Sequence, residues 1–208
     1  MNINEELLKY NFSRETFAKL QEFAGILEEW NAKMNLVSKN SMSDLWPRHI
    51  MDSLQLIKYL PESFDTLVDI GSGAGFPALI LAIALAEKKP NVRLKLVESI
   101  TKKTVYLNDV AQRLNLKNVE VLNTRVENAV FKDVDVVTAR AVASLDVLLS
   151  YQYKIGGKNT IGLYLKGKSH QEEIDKAAKD WTFDFEKKAN IYSEDGVILK
   201  ISGLRRKK

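Results

Sequence analysis

The spacing of apolar residues divides the chain into a helical first part and a later part in which strands and helices alternate. In the first part, Ser13 is predicted to cap a helix with an apolar residue at every third or fourth position. The residues of this predicted buried stripe are Phe17, Leu20, Ala24, Leu27 and Trp30. The polar stretch 31–43 predicts a connecting loop. A second helix is expected from Trp46 to Pro61, with Pro47 in its first turn and a buried face of Leu54, Ile57 and Leu60.

From residue 66 onward, short apolar segments with the length of strands alternate with longer helical patterns. Such alternation is typical of a parallel sheet with helices on both faces. Two final segments are joined by the short turn Glu194-Asp195-Gly196, which predicts an antiparallel pair. Strands are predicted at 66–70, 92–97, 119–122, 134–139, 160–165, 183–191 and 197–201, and helices at 76–87, 102–114 and 169–179.

A glycine-rich turn follows the first predicted strand. Gly71, Gly73 and Gly75 stand at alternate positions between that strand and an apolar helix, which predicts a tight turn with free backbone N–H groups. A dinucleotide-binding turn has its third glycine one place later, where this chain has Phe76. The spacing therefore favours a nucleoside cofactor without a pyrophosphate, for which S-adenosylmethionine is the candidate. A turn without any ligand is the alternative.

These elements together predict one α/β fold, the Rossmann-like class I S-adenosylmethionine-dependent methyltransferase architecture. Its sheet is mostly parallel and seven-stranded, and it ends in an antiparallel hairpin. We expect an N-terminal helical cap over residues 1–61 and a methyltransferase domain over 62–208. No linker rich in Gly, Ser or Pro separates them, so the two are expected to form one compact unit.

Composition restricts the chemistry that is available. The 208 residues include no cysteine and two histidines, which excludes disulfides and cysteine nucleophiles and makes a metal site unexpected. No apolar run approaches the roughly 20 residues that span a membrane, and the N-terminus lacks the pattern of a signal peptide. We therefore expect a soluble, cytoplasmic protein without membrane contact. A net charge of +4 is compatible with RNA binding but is not specific for it.

Acidic residues near the ends of the second and third strands are candidates for cofactor binding, because ligands of doubly wound sheets lie at the carboxyl ends of strands. Glu98 is placed to accept both hydroxyls of a ribose, or alternatively to favour the start of the next helix. Thr124 and Glu127 have the spacing of a capping box, and Val126 and Glu127 also lie where an adenine ring is expected. Further possible cofactor contacts are Asp69, Gly73, Gly75 and Ser99.

Basic residues at later strand ends are candidates for positioning and for RNA contact. Arg140 follows the fourth strand as a cation at the floor of the expected site, or forms a surface salt bridge. Lys166 and Lys168 flank Gly167 and either hold phosphate or belong to a solvated turn. Arg48 and Asp52 have the spacing of an exposed helical ion pair, and His49 between them is expected to be a packed helix residue.

The basic tail Arg205-Arg206-Lys207-Lys208 is either a disordered solvated end or a phosphate-contacting segment. We expect the helical cap, Arg48, Lys166, Lys168 and the tail with Arg205 and Arg206 to share one rim of the molecule and to form an RNA-binding face.

The whole chain resembles the bacterial small-subunit rRNA guanine-N7 methyltransferases, also called glucose-inhibited division protein B. The motifs that carry this resemblance follow in the expected order over most of the chain. They are Trp30-Asn31 with Asn35-Leu36; Arg48-His49 with Asp52-Ser53; Asp69 to Pro77; Arg125-Val126-Glu127; Thr138-Ala139-Arg140-Ala141 with Ser144-Leu145; and Lys166-Gly167.

The resemblance implies that Gly71, Phe76, Val126, Glu127 and Arg140 bind S-adenosylmethionine. Phe76 replaces a leucine that is common in the family, a change expected to preserve a backbone contact. The residues before Arg140 depart from the serine of some relatives. The implied reaction is transfer of a methyl group to N7 of a guanine in the decoding-region loop of 16S rRNA (position 527 in standard rRNA numbering), with the small ribosomal subunit as the partner. We expect the enzyme itself to be a monomer, and the sequence indicates no protein partner.

The residues present suit this reaction. Methylation of pyrimidine carbon 5 usually needs a cysteine, and methylation of exocyclic amines commonly uses an Asp/Asn-Pro-Pro loop, both of which are missing here. Guanine N7 already exposes a lone pair, so orientation can supply most of the acceleration without a catalytic residue. We expect a phosphate or the methionine carboxylate of the cofactor to neutralise Arg140, which then orients through this anion rather than transferring a proton. The alternatives are a small-molecule methyltransferase of the same fold, a nicotinamide-dependent oxidoreductase, and a non-catalytic RNA-binding module.

Overall fold

The computed structural model describes residues 3–207 and contains one seven-stranded sheet with strand order β3-β2-β1-β4-β5-β7-β6. The first five strands are parallel, and β7 pairs antiparallel with both β5 and β6. This confirms the predicted fold class. The strands are β1 (Thr66–Ile70), β2 (Arg93–Glu98), β3 (Val119–Asn123), β4 (Val136–Arg140), β5 (Ile161–Lys166), β6 (Trp181–Ala189) and β7 (Val197–Arg206).

Helices cover both faces of the sheet and form the cap. They are α1 (Ile3–Leu8), α2 (Arg14–Asn31), α3 (Lys39–Ser43), α4 (Asp52–Leu54), α5 (Ala78–Lys88), α6 (Thr101–Arg113), α7 (Leu145–Ile155) and α8 (His170–Ala177). The turn α4 is the middle of a composite helix, which begins as a π-helix at Trp46–Met51 and ends as a 3₁₀ helix at Gln55–Tyr59. None of the helices within residues 3–207 has the length and apolar character that a membrane span requires.

Helix α2 begins where the sequence predicts, because the Ser13 hydroxyl accepts a hydrogen bond from the backbone N–H of Thr16. Its buried face is rotated from the predicted stripe. Phe23 and Ile26 are fully buried together with Leu20 and Leu27, whereas Phe17, Ala24 and Trp30 are half-buried. The rotation follows from contacts on two sides, since α2 packs against α5 and also reaches α6.

The predicted loop at 31–43 is wrong in its second half. Ser38 caps the short helix α3 by accepting a hydrogen bond from the Ser41 N–H at 3.1 Å. The Asn31 side chain accepts from the backbone N–H groups of Leu36 and Val37 and so fixes the turn between the two helices. A polar stretch can therefore be ordered by its own side chains.

Helix α5 lies between the sheet and the cap. All eight residues of its first two turns, 78–85, are buried, which is the expected pattern for a helix with neighbours on every side. The cap is tied to this layer by polar contacts as well. The Thr16 hydroxyl donates to Glu87 at 2.7 Å, and the Trp30 indole N–H donates to Asp109 of α6 at 2.7 Å.

The composite helix begins with Pro47 in its first turn, as predicted, but its buried face differs from the prediction. Leu54 is fully buried, whereas Ile57 and Leu60 are only half-buried, and Leu56 is the other fully buried leucine. The π-turn changes the angular register that a regular helix would have. It brings Asp52, Ser53 and Gln55 inside, where Asp52 and Gln55 contact Asn190 in the turn between β6 and β7.

Candidate active site

The glycine-rich turn after β1 adopts backbone conformations that favour glycine. Gly71, Gly73 and Gly75 have φ values of +66°, +52° and +88°. A Cβ atom at Gly71 would lie 2.8 Å from a methyl group of Val142, and one at Gly75 would lie 2.4 Å from a methyl group of Leu79. Each alternate glycine therefore meets a steric requirement of the turn itself.

Four N–H groups of this turn are bound within the protein, which corrects the prediction that the turn leaves them free. Gly71 and Ser72 donate to the carbonyl of Val97 at 2.9 and 3.1 Å, and Gly73 donates to Glu98 Oε2 at 3.0 Å. Gly75 donates to the Ser72 carbonyl. A pyrophosphate needs such groups unoccupied. Fewer N–H groups are therefore left for a pyrophosphate, which counts against the oxidoreductase alternative.

We expect Gly75→Ala to destabilise the fold by about 2–3 kcal/mol, because alanine is strained at this φ and its methyl group would overlap Leu79. Chemical denaturation measures the loss. Gly25→Ala in α2 is the matched control, since nothing lies within 4 Å of its added Cβ, and it should be neutral or stabilise by up to about 1 kcal/mol. Equal stabilities for the two variants would contradict the prediction.

Glu98 connects the ends of three adjacent strands. Its carboxylate accepts from the Gly73 N–H at 3.0 Å and from the Ile100 N–H at 2.8 Å. Its carbonyl accepts from the Thr124 N–H and from the Asn123 side chain. Since Ile100 directly precedes α6, the helix-start role is present in the structure. The remaining acceptor capacity of the carboxylate is what a ribose would use.

The predicted capping box at Thr124 and Glu127 does not form. A single 3₁₀ turn, Val126–Asn128, occupies this position, and its first flanking residue is Arg125 without a side-chain cap. Thr124 donates its hydroxyl to a neighbouring carbonyl, and Glu127 instead accepts from the Tyr151 hydroxyl of α7 at 2.8 Å. A hydrogen bond with its own backbone, and then this contact with Tyr151, hold the pKa of Glu127 below its usual value. Val126 is buried in an apolar cluster that also contains Val97 of β2.

Asp69 lies behind the glycine turn and is fully buried. One carboxylate oxygen accepts from the Thr138 hydroxyl at 2.6 Å, and the other has no partner among the described residues. Burial raises its pKa to about 7, against the hydrogen bond from Thr138. Asp69 is therefore placed to hold β1 and β4 together beneath the site rather than to line it. Ser99, in contrast, is exposed directly after the end of β2.

Two apolar residues at the site were missed in the sequence. Ile100, directly after the β2 end, is 49% exposed, and Val142, in the loop after β4, is 40% exposed. Val142 also packs against Gly71. An exposed aliphatic side chain beside Glu98 suits the face of a purine ring. The sequence signal was available, since each follows a predicted strand end by three residues.

The glycine turn is also held from the cap side. The Tyr106 hydroxyl of α6 donates to the Ala74 carbonyl at 3.1 Å, and the Tyr106 ring packs edge-on against Trp30 at 5.8 Å. Phe76, at the end of the turn, directs its ring into the cap, where it stacks on His49 at 5.0 Å and meets Phe23 edge-on. Any contact of Phe76 with a cofactor is consequently left to its backbone.

Arg140 closes the other side of the site by joining the cap to β4. Its guanidinium forms a salt bridge with Asp52 at 3.3 Å, donates to the Arg48 carbonyl at 3.0 Å and contacts His49 Nδ1. The predicted exposed pair of Arg48 with Asp52 is therefore wrong. Arg48 lies 3.9 Å from Asp44 instead, and Asp52 is buried.

His49 is a packed residue, as predicted, and it is uncharged. Arg140 offers only donors, so His49 Nδ1 accepts and its proton resides on Nε2. Burial first, and then the charges of Arg140 and Arg48, lowers the pKa of His49 from 6.5 to about 4.

This low pKa predicts a loss of stability in acid. The unfolded chain binds a proton at His49 near pH 6.5 and the folded chain only near pH 4, so stability falls as the pH falls through this interval. The total loss is about 2–3 kcal/mol once solvent screening of the half-buried ring is taken into account. Asp69 has a raised pKa and acts in the opposite direction over the same range. Comparison with His49→Gln isolates the histidine: the stability advantage of the wild type over the variant should shrink from pH 7.5 to pH 4.5. A difference in free energy of unfolding between wild type and variant that stays constant with pH would contradict this prediction.

The expected RNA-binding residues do not share one rim. Lys166 is enclosed and forms a salt bridge with Glu173 at 2.6 Å, whereas Lys168 and Arg48 are exposed at the carboxyl edge of the sheet. Because β7 runs antiparallel to β5, Arg205 and Arg206 lie in a paired strand at the opposite edge. The predictions of a disordered tail and of a common rim are wrong for these two residues; Lys208 lies outside the described residues.

A cavity of about 520 Å³ opens at the carboxyl ends of β4 and β5, beside the glycine turn. Its size falls within the range of roughly 300–1,000 Å³ for small-molecule sites. Within residues 3–207, no cluster of side chains is suited to hold a metal ion. The walls come from the composite helix, the loop after β4, the start of α8 and the turn between β6 and β7; they include Arg48, Asp52, Arg140, Val142, Lys166, Glu173, Asn190 and Tyr192.

The sheet order, the glycine turn and the acidic residue at the end of β2 define a class I S-adenosylmethionine-dependent methyltransferase. A solved S-adenosylmethionine-dependent methyltransferase from Aquifex aeolicus shares this fold with a TM-score of 0.59, at 13% identity over 86% of this chain and 97% of that chain. The family model described as rRNA small subunit methyltransferase G (GidB) matches residues 16–200, and the chain belongs to that family.

Relatives match over nearly their whole length. A ribosomal RNA small subunit methyltransferase G from Ruegeria sp. (strain TM1040) is 40% identical over 199 residues, covering 96% of both chains. The protein of the same name from Ruegeria pomeroyi is also 40% identical over 199 residues, covering 94% of this chain and 95% of the relative.

Proposed function

We propose that this enzyme transfers the methyl group of S-adenosylmethionine to N7 of a guanine in the 16S rRNA of the small ribosomal subunit. Family membership supports the reaction type and the rRNA substrate. In this proposal the nucleoside half of the cofactor lies against Gly71, Gly73, Glu98, Ile100 and Val126. The methyl group then faces the cavity after β4, with Val142 between the two sites.

The observation that supports N7 as the methyl acceptor is that Arg140 and Lys166, two cations at this cavity, are each paired with a carboxylate. Methyl transfer moves the positive charge from sulfur to the purine, so an unpaired cation nearby would oppose it. Arg140 is paired with Asp52 and Lys166 with Glu173, so neither adds an uncompensated charge. The anion that accompanies Arg140 is thus a side chain of the cap, rather than the phosphate or cofactor carboxylate expected from the sequence.

No proton acceptor is needed at this site. The N7 lone pair lies in the plane of the base and is free before the reaction. His49 is the histidine at the cavity side of the cap, and its Nδ1 is occupied by Arg140. Catalysis therefore rests on orientation of N7, the methyl carbon and sulfur, which can supply about 7–11 kcal/mol.

The target base has to leave its helix to enter the cavity, so a loop nucleotide is the expected substrate. Arg48 and Lys168 lie on the rim where its flanking phosphates would pass. We further propose that the enzyme is a cytoplasmic monomer. Residues 1–61 and 62–208 act as one unit in this proposal, supported by the contacts of Thr16 with Glu87 and of Trp30 with Asp109.

The test is incubation of unmodified small subunits, and separately of naked 16S rRNA, with tritiated S-adenosylmethionine. Chemical cleavage at 7-methylguanine then maps the modified base. We expect a single cleaved guanine in the decoding-region loop, with a rate that falls as salt rises because phosphate contacts are lost. Tritium in RNA without cleavage at a guanine would overturn the N7 assignment, and no incorporation into either RNA would favour a small-molecule acceptor or a non-catalytic role.

A further inference from the structure

The far wall of the cavity contains an enclosed ion pair that the cofactor site does not use. Lys166, at the end of β5, and Glu173, in α8, are joined at 2.6 Å between Nζ and Oε2. Their side chains are 9% and 18% exposed, and both line the cavity. Enclosed charges of this kind are costly unless their remaining hydrogen-bonding capacity is also used.

After the hydrogen bonds within the protein are counted, Lys166 has one unused donor and Glu173 has one unused acceptor position. An ammonium has three donors, and Lys166 uses one on Glu173 and one on the Ala143 carbonyl at 2.9 Å. Glu173 Oε2 accepts from Lys166 and from the Leu145 N–H at 2.7 Å, while Oε1 accepts from the Ser169 hydroxyl at 3.2 Å. A carboxylate has about four acceptor positions, so one remains on Oε1.

A donor beside an acceptor is the pattern that cytosine offers to guanine. The Watson–Crick edge of guanine presents the acceptor O6, then the donors N1–H and the exocyclic amine, whereas adenine begins with a donor. We propose that the pair of Lys166 and Glu173 reads this edge of the target guanine. The third proton of Lys166 binds O6, and Oε1 of Glu173, the oxygen away from Lys166, accepts from the exocyclic amine.

The order of the strands is consistent with the orientation of the target guanine that this proposal requires. The turn after β1 holds the cofactor, the loop after β4 provides Val142, and the end of β5 provides Lys166. Neighbouring strands lie about 4.8 Å apart, so the cofactor side and the ion pair are separated by roughly 10 Å. A purine placed across this gap directs N7 toward one wall and its amine toward the other. The pair then fixes which ring nitrogen faces the methyl group.

This inference rests on the proposed function and is tested with subunits whose target guanine is replaced by inosine. Inosine keeps N7, O6 and N1–H and lacks only the exocyclic amine. For the wild type, kcat/KM for guanine should exceed that for inosine about 10–100-fold, because Oε1 loses its partner. In Glu173→Gln the amide oxygen has to face Lys166 and the Leu145 N–H, which turns its NH₂ toward the amine. The ratio should then fall to about 1.

Ser169→Ala is the control and should keep the wild-type ratio, since Oε1 retains its capacity for the base. Glu173→Asp provides a second variant if the glutamine variant is unstable, and it should also lower the ratio because the shorter side chain withdraws Oε1. A wild type that methylates both bases equally, or a Glu173→Gln enzyme that keeps the full preference, would overturn the inference. Neither result affects the proposed function, which fails only if the wild type does not methylate guanine N7.

Discussion

Glu98→Gln should weaken binding of S-adenosylhomocysteine about 100-fold, a loss of about 3 kcal/mol. The carboxylate accepts from the N–H groups of Gly73 and Ile100, one on each oxygen. The amide has a single oxygen, so its NH₂ opposes one of these buried donors and the charge available to the ribose hydroxyls is removed. Isothermal titration calorimetry measures the affinity directly.

Glu120→Gln is the matched control for this prediction. Glu120 is exposed near the amino end of β3, away from the glycine turn, and forms a salt bridge with Lys95 at 2.9 Å. We expect at most about a twofold change in affinity, because an exposed ion pair away from the cofactor contributes little. If Glu98→Gln melts at a lower temperature but binds with wild-type affinity, Glu98 supports the turn and does not contact the ribose.

Asp52→Asn should destabilise the protein by about 2–4 kcal/mol and abolish most activity. Removing one charge of an enclosed pair leaves the other uncompensated, which costs about 3–5 kcal/mol when both are fully buried. Arg140 keeps 18% of its side-chain exposure, so the cost should be somewhat smaller. The same change weakens the link to the turn between β6 and β7, because Asn190 donates to the Asp52 carboxylate. Urea denaturation measures the stability, and methylation of RNA the activity.

The double variant Asp52→Asn with Arg140→Met separates stability from function. It removes both charges, so it should recover at least half of the lost stability while activity stays low. Asp44→Asn is the surface control, because the pair of Asp44 with Arg48 is exposed at 3.9 Å and should contribute less than about 0.5 kcal/mol. Strictly additive effects of the two changes would mean that the pair is not coupled.

The sheet was predictable because its strands are continuous apolar runs that end at turn residues, and burial on both faces gives such runs a distinct pattern. Its end residues, and therefore the position of Glu98, followed from the same pattern. The cap was less predictable. The π-turn at Trp46–Met51 shifts the buried face by an amount that regular helical spacing does not encode, and this shift places Asp52 opposite Arg140.

The partners of the charged residues were the other feature that could not be predicted from local sequence spacing. Arg48 and Asp52 are helical neighbours in the sequence, yet Asp52 pairs across 88 positions of the chain with Arg140. Arg205 and Arg206 look like a free tail because no apolar pattern surrounds them. They belong to β7 because Trp181 and Thr182 of β6 extend the ladder opposite them, a long-range pairing that depends on register.

The contact of Trp30 with Tyr106 gives the enzyme a built-in optical reporter. Tyr106 holds the Ala74 carbonyl of the glycine turn, and Trp30 lies against its ring on the cap side. A ligand that shifts the turn by a fraction of an ångström changes the surroundings of this indole. With Trp46 and Trp181 replaced by phenylalanine, the fluorescence of Trp30 should therefore follow occupancy of the cofactor site in real time, without any added label.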